Sequence, residues 1–328
     1  MKSPRQSNME LLRIVSMLMI LTVHVDGASL GLPEPGGDIS VLDARAVWRL
    51  VVETVSIIGV NCFTMISGYF GIRLRWRSVL SYLFQCVFYS VGIYTAFMIL
   101  FPANASWRGW MESWMVLTHT DLWYVPAYFM LMLLSPWLNA GSTGISRRAF
   151  VSVLAALAFV TFWCGWWWDG AFNPTGYTVM QLVFVYLTAR FIRLYPPVTP
   201  RPVMAGIYLL SLAGIFVSAL YLPSLKAFAY NSPFVMLSTV AFFMLFRDTE
   251  IYSPLINRVA RAAFAVYLIH KAPLVWGNVM KPLVMRLWDS LPLPLFTLAA
   301  IGVVIAFYLL GMTIDPLRRR ISSFLLGK

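Results

Sequence analysis

The sequence predicts an all-α polytopic integral membrane protein with about ten transmembrane helices and both termini in the cytoplasm. Three observations carry this expectation. Hydrophobic residues make up 60% of the 328 positions and charged residues only 12%, where a soluble domain carries about 25% charged residues. Apolar runs near the ~20 residues needed to cross a bilayer recur from end to end. The lysines and arginines gather in alternate loops. The net charge of +12 would point to nucleic acid in a soluble protein. Here arginine-rich inner loops account for it, and no nucleic-acid partner is expected. No stretch is long or polar enough for an appended soluble domain, so 1–328 reads as a single transmembrane domain surrounded by membrane lipid.

The spans fall near 9–27, 50–72, 78–101, 122–138, 149–168, 177–192, 203–222, 232–247, 260–279 and 294–314. The first follows Lys2 and Arg5, as the core of a signal peptide would. Glu10 and Arg13 interrupt it, however, and no A-x-A site follows closely, so it is expected to be retained. The sixth span is short, opened by Tyr177 and closed by Arg190 and Arg193. With the N-terminus inside, the inner segments hold Lys2, Arg5, Arg73, Arg75, Arg77, Arg147, Arg148, Arg190, Arg193, Arg201, Arg247, Arg258, Arg261, Arg318, Arg319, Arg320 and Lys328. The outer ones hold only Arg45, Arg49, Arg108, Lys226, Lys281 and Arg286, with Lys271 near an outer helix end. A missed helix would invert every later loop and spoil this asymmetry.

Two outer loops stand out. Residues 28–48 are rich in Gly and Pro, with the acids Glu34, Asp38 and Asp43. Residues 102–121 carry Trp107, Trp110 and Trp114, with His119, Asp121 and then Trp123-Tyr124 at the entrance to the fourth span. Tryptophans at span ends are interfacial anchors or, functionally, surfaces on which a sugar stacks. Trp163, Trp166, Trp167 and Trp168 end the fifth span in the same way. Cys62, Cys86 and Cys164 lie in or beside apolar helices without metal spacing, and read as buried thiols.

The first span is the unusual one. It is apolar enough for a bilayer yet contains Glu10, Arg13, His24 and Asp26, at roughly 2.5–3.5 kcal/mol for a charged group near the helix centre. His24 lies about 22 Å along the helix, in the outer half of the membrane. Arg13 falls within about 20° of the same face and Glu10 within about 40°. Such a stripe reads as the polar wall of a site, and a histidine on it can serve as a general base. Arg73, Arg75 and Arg77 follow the second span. Arginines flank spans on the inner side in general. If the third helix starts early, though, Arg73 and Arg77 share one face and form a fork suited to phosphate. His270, in A-V-Y-L-I-H-K, is expected about 15 Å into its helix, near mid-membrane. Asn61 and Ser67 suit helix–helix hydrogen bonding. No Walker A loop, G-x-S-x-G elbow, H-E-x-x-H or Cys/His metal spacing occurs, and no metal is expected.

Four stretches together resemble the bacterial acyltransferase family 3, multi-span O-acyltransferases of cell-surface glycans. They are N-M-E-L-L-R-I-V-S-M-L-M-I-L-T-V-H, F-T-M-I-S-G-Y-F-G-I-R-L-R-W-R, L-W-Y-V-P-A-Y-F-M-L-M-L-L-S-P-W-L and A-V-Y-L-I-H, in the family's order over residues 8–270. The resemblance implies an acyl-CoA co-substrate, most simply acetyl-CoA, and a glycan or lipid-linked sugar hydroxyl as acceptor, in the bacterial inner membrane. His24 would match the family's first-helix histidine, Arg13 its arginine, and Arg73 and Arg77 its R-x-x-x-R pair. The expected site is therefore His24, Arg13 and Glu10 for catalysis, and Arg73, Arg75 and Arg77 for the donor. Asp26, His270, Asn61, Trp123 and Tyr124 are candidates for the acceptor or pore lining. Whether His24 deprotonates the acceptor or is itself acylated stays open. The alternative reading is a secondary transporter or flippase for a lipid-linked glycan, which would also need intramembrane charge but ordinarily shows interrupted helices in two repeated halves. A third is a non-enzymatic scaffold, which would need no charged stripe.

Overall fold

The computed structural model describes residues 6–119, 121–170 and 172–325. Lys2, Arg5 and Lys328, counted above among the inner charges, lie outside the described residues. Among the described residues the regular structure is helical throughout.

Helix α1 (Ser7–Val23) runs into a π-helical turn, His24–Ala28. Helix α2 (Ala44–Ser56) is capped by Asp43, whose side chain accepts from the Ala46 amide, and a turn at 57–58 joins it to α3 (Gly59–Phe70). Gly71 stops α3 at φ 73°, a left-handed conformation that suits a residue without Cβ. Then follow α4 (Trp76–Leu100), the short loop helix α5 (Trp107–Glu112) and α6 (Tyr124–Gly144). Helix α7 (Arg147–Ala158) continues as a π-helical stretch to Trp167, and α8 (Val179–Leu194) and α9 (Arg201–Tyr221) come next. A short α10 (Ser224–Ala227) leads to α11 (Pro233–Arg247). Helix α12 (Pro254–Val259) passes through a 3₁₀ turn into α13 (Ala263–His270). The chain ends with α14 (Pro273–Val275), a π-helical turn, α15 (Lys281–Ser290) and α16 (Leu293–Leu325).

Each expected span meets helix, but among the described residues 6 helices are long and apolar enough to cross a membrane. Of the rest, α6 has 21 residues but is not among those six, and the other expected spans are short or broken. Helices α8 and α11 have 16 and 15 residues, about 24 and 22 Å at 1.5 Å per residue, against a hydrocarbon core of ~30 Å. The ninth expected span is split by the 3₁₀ turn and again after His270.

Hydrogen bonds sort the helix ends into two groups. At the proximal end, where α1 begins, Asn8 Nδ2 donates to the carbonyls of Phe246 (3.0 Å) and Arg247 (3.2 Å), and Arg247 reaches the Pro197 carbonyl. Asn139 donates to Ile72 O, and Arg193 to the Tyr69 hydroxyl. At the distal end, Arg45 donates to the carbonyls of Trp288 and Leu291, Ser224 to Glu34, and Lys226 to Asp169. Between the ends, α1 lies among the other helices with Met9, Leu12, Met17 and Leu21 buried. Small residues let backbones approach. A Cβ on Gly68 would meet the Tyr186 carbonyl oxygen on α8, and one on Gly311 would meet Val266 on α13. Cys62 and Cys86 are buried between helices.

Candidate functional site

The π-helical turn at the end of α1 begins with His24. Its wider loop is satisfied locally: Ser29 Oγ donates to His24 O at 2.7 Å. Such turns often mark functional positions. From here His24 Nδ1 lies 2.8 Å from Nε2 of His270, the last residue of α13. His270 Nδ1 lies 2.7 Å from the carbonyl oxygen of Val266, one turn back. The chain of bonds fixes the tautomers. A carbonyl only accepts, so His270 Nδ1 carries hydrogen. A neutral His270 then presents a lone pair at Nε2, and His24 must donate from Nδ1. That leaves His24 Nε2 as the basic nitrogen. Trp276 stands edge-on to His24 with ring centroids 5.7 Å apart, and Lys271 Nζ sits 4.1 Å from the centre of the Trp276 ring.

His24 lines a distal cavity of about 440 Å³, together with Gly27, Glu53, Asp121, Trp123, Tyr124, Tyr177, Tyr230, Tyr267 and Lys271. Volumes of this order suit a small ligand. The rings of Trp123, Tyr177 and Tyr230 cluster on its wall, with centroid separations of 4.9, 4.8 and 5.8 Å. Behind it, Asp26 is buried and paired with Arg49 (Nε–Oδ1 2.7 Å), whose Nη2 also donates to Gly31 O.

A proximal cavity of about 530 Å³ is lined by Arg13, Ser67, Tyr82, Tyr128, Arg261 and Arg319. Arg13 Nη1 is 2.7 Å from Glu10 Oε2. Arg319 Nε is 2.9 Å from Asp315 Oδ2, and Arg318 holds the other oxygen of that carboxylate. Phe63, Tyr124 and Phe264 line both cavities. They come from α3, α6 and α13, and neighbouring rings brace them. Tyr124 stacks on Tyr128 (5.5 Å) and Phe264 on Tyr82 (5.4 Å), while the Tyr82 hydroxyl donates to Val125 O at 2.8 Å.

The structure therefore brings together some of the expected residues and separates others. His24 and His270 meet, and Arg13 lies with Glu10. Trp123 and Tyr124 line the cavities, whereas Trp107, Trp114, Trp167 and Trp168 point outward. His270 lies level with His24, and its helical stretch begins at Pro254 rather than near 260. The shared face for Arg73 and Arg77 is corrected. Helix α4 starts at Trp76, so Arg73 and Arg75 precede it in an extended link, and Arg73, Arg75 and Arg77 are exposed outside both cavities. Asn61 and Asp26 do not line these cavities. Asn61 donates to the Tyr230 carbonyl at 2.9 Å, beside Gln181, and so holds the loop bearing that ring. Sequence reasoning missed Glu53 and the roles of Arg261, Arg319, Phe63 and Phe264. For Glu53 the signal was present: an acid inside an apolar span.

No curated protein and no solved structure matches the chain. A family model described as an acyltransferase domain matches residues 6–312. With nearly its whole length matched, this chain belongs to the acyltransferase 3 family.

Proposed function

We propose that this protein is a membrane O-acyltransferase of the bacterial inner membrane. It moves an acyl group, acetyl in the simplest case, from cytoplasmic acyl-CoA to a hydroxyl of a cell-surface or lipid-linked glycan. Both termini then lie in the cytoplasm, about ten passages cross the bilayer, and the proximal end faces inward. The observation that carries the reading is the histidine pair facing a cavity that backs, across three rings, onto a second cavity lined by arginines. Arg13, Arg261 and Arg319 supply positive charge along the donor's path. Arg73, Arg75 and Arg77 stand exposed at the same end, where nucleotide phosphates would remain in water. The thioester passes between Phe63, Tyr124 and Phe264.

The acceptor enters from the distal side. His24 Nε2 takes the hydroxyl proton, and the hydroxyl oxygen bonds to the thioester carbonyl carbon. The carbon–sulfur bond breaks, its electron pair leaves on the CoA sulfur, and the proton held by the His24 imidazolium passes to that sulfur to give the thiol. His270 steadies the imidazolium formed at His24, because its Nε2 lone pair accepts from His24 Nδ1. Purified protein given labelled acetyl-CoA and a membrane glycan fraction should label the glycan. No transfer from acetyl-CoA or longer acyl-CoA donors would remove the reading. Label on His24 before acceptor is added would make the histidine a carrier rather than a base.

A further inference from the structure

Glu53 is the group that the histidine mechanism leaves unused. It sits on α2, 2% exposed, and lines the distal cavity with His24. Its Oε2 has no hydrogen-bond partner among the described residues. Arg49, one turn earlier on the same helix, is engaged elsewhere: it gives its Nε to Asp26 and its Nη2 to the Gly31 carbonyl. A buried carboxyl oxygen without a donor is costly, and an acid inside a membrane domain marks a functional position by default.

Its surroundings say which ligand would supply the donor. The carboxyl packs against the turn that carries His24. A Cβ built on Gly27 would lie 3.0 Å from Glu53 Oε2, a tight approach that the glycine leaves unobstructed. Gly27 is three residues from His24, which puts the free oxygen beside the turn that presents the base. Across the same cavity stand Tyr177, Tyr230 and Trp123. Aromatic faces for C–H surfaces and a buried carboxyl for a hydroxyl match a polyhydroxylated ring. The free oxygen of Asp26 offers no such site, because Asp26 lies behind the cavity wall and Arg49 holds its other oxygen.

We propose that Glu53 binds the sugar acceptor, taking a hydrogen bond from a second hydroxyl of the ring whose neighbouring hydroxyl His24 deprotonates. This assignment rests on the acyltransferase reading above. The test uses full-length protein in lipid nanodiscs, with labelled acetyl-CoA as donor and a membrane glycan fraction at varied concentration as acceptor. Glu53→Gln should lower transfer at sub-saturating glycan by about 10- to 100-fold, the range for one hydrogen bond to a charged group. Acetyl-CoA binding should stay unchanged, and the thermal midpoint should be equal or higher, since the variant relieves an unpartnered buried carboxylate. Acceptor dependence within twofold of wild type would overturn the proposal. So would a joint fall of thermal midpoint and acetyl-CoA binding, which would make Glu53 a packing residue. A wild-type protein that neither binds acetyl-CoA nor transfers label would instead sink the acyltransferase reading, and the Glu53 assignment with it.

Discussion

The two cavities are similar in size and opposite in chemistry. The distal one, about 440 Å³, holds a histidine, carboxyl groups and a wall of aromatic rings. The proximal one, about 530 Å³, holds three arginines and the hydroxyls of Ser67, Tyr82 and Tyr128. Their support differs as well. Arg13 and Arg319 are each backed by a carboxylate on their own helix, Glu10 and Asp315. The distal groups are held across helices: His24 by His270, and the Tyr230 loop by Asn61 and Gln181. On the proposed reading, the difference is a division of labour. The charge offered to an anionic donor is built from local i,i+3 and i,i+4 pairs. The proposed base is held in one tautomer and one place by contacts distant in sequence.

The largest effect that would break this comparison lies at the histidines. His24→Ala and His24→Gln should each reduce glycan acylation by about 10²–10⁴-fold, with acetyl-CoA affinity retained through the proximal arginines. Substantial turnover in His24→Gln would remove base catalysis from the distal cavity. His270→Ala should cost less, about 10- to 100-fold, because it removes the partner that orients His24 and fixes its tautomer. His270→Gln, which can still offer an acceptor, should recover part of it. Equal losses at His24 and His270 would mean that the pair acts as one unit, with no division into a base and its orienting partner.

The arginines sharpen the other half. Arg261→Ala and Arg319→Ala should each weaken acetyl-CoA binding by about tenfold, the order expected for one charge-assisted contact. The glycan dependence should stay unmoved. Arg73→Ala and Arg77→Ala measure the exposed link separately, and Arg77→Lys tests whether a planar fork is needed there. If only the link variants move donor affinity, the nucleotide is gripped outside the cavity and the lining arginines serve the fold. The smallest effect is expected at the shared rings. Phe264→Ala, read as the ratio of rates with hexanoyl-CoA and acetyl-CoA, should shift toward the longer chain by several-fold, the scale on which one or two methylenes are discriminated. An unchanged ratio would mean that the acyl chain does not pass those rings.

The sequence carried the helical class, the unusual first span, and the presence of His24 and Arg13 on it. Those signals are local: apolar run length, loop charge and residues one helix turn apart. What stayed hidden was set by helix starts and by contacts across the chain. His24 and His270 are 246 positions apart, and the depth of His270 depends on α12 beginning at Pro254, where the Ser253 side chain caps the helix. Arg73 and Arg77 looked like a fork only if α4 began before Trp76, and the left-handed Gly71 followed by an extended link prevents that. Glu53 lay only three residues inside the expected start of its span, so its depth was not legible. The helix begins at Ala44 instead, which places Glu53 between two and three turns inside. Asn61 was visible as a buried amide, but nothing along the chain says that its partner is the carbonyl of residue 230.

The three rings shared by the cavities have an electrical consequence. A polar hollow open at each face of a bilayer would, if continuous, let a file of water carry protons down the membrane potential, worth about 2.3 kcal/mol per charge at 100 mV. Phe63, Tyr124 and Phe264 stand where the two hollows approach; two of the three rings are purely apolar, and the Tyr124 hydroxyl is turned to Thr64. On the proposed reading, such a plug would keep wet chemistry at both ends while the membrane around it stays an insulator.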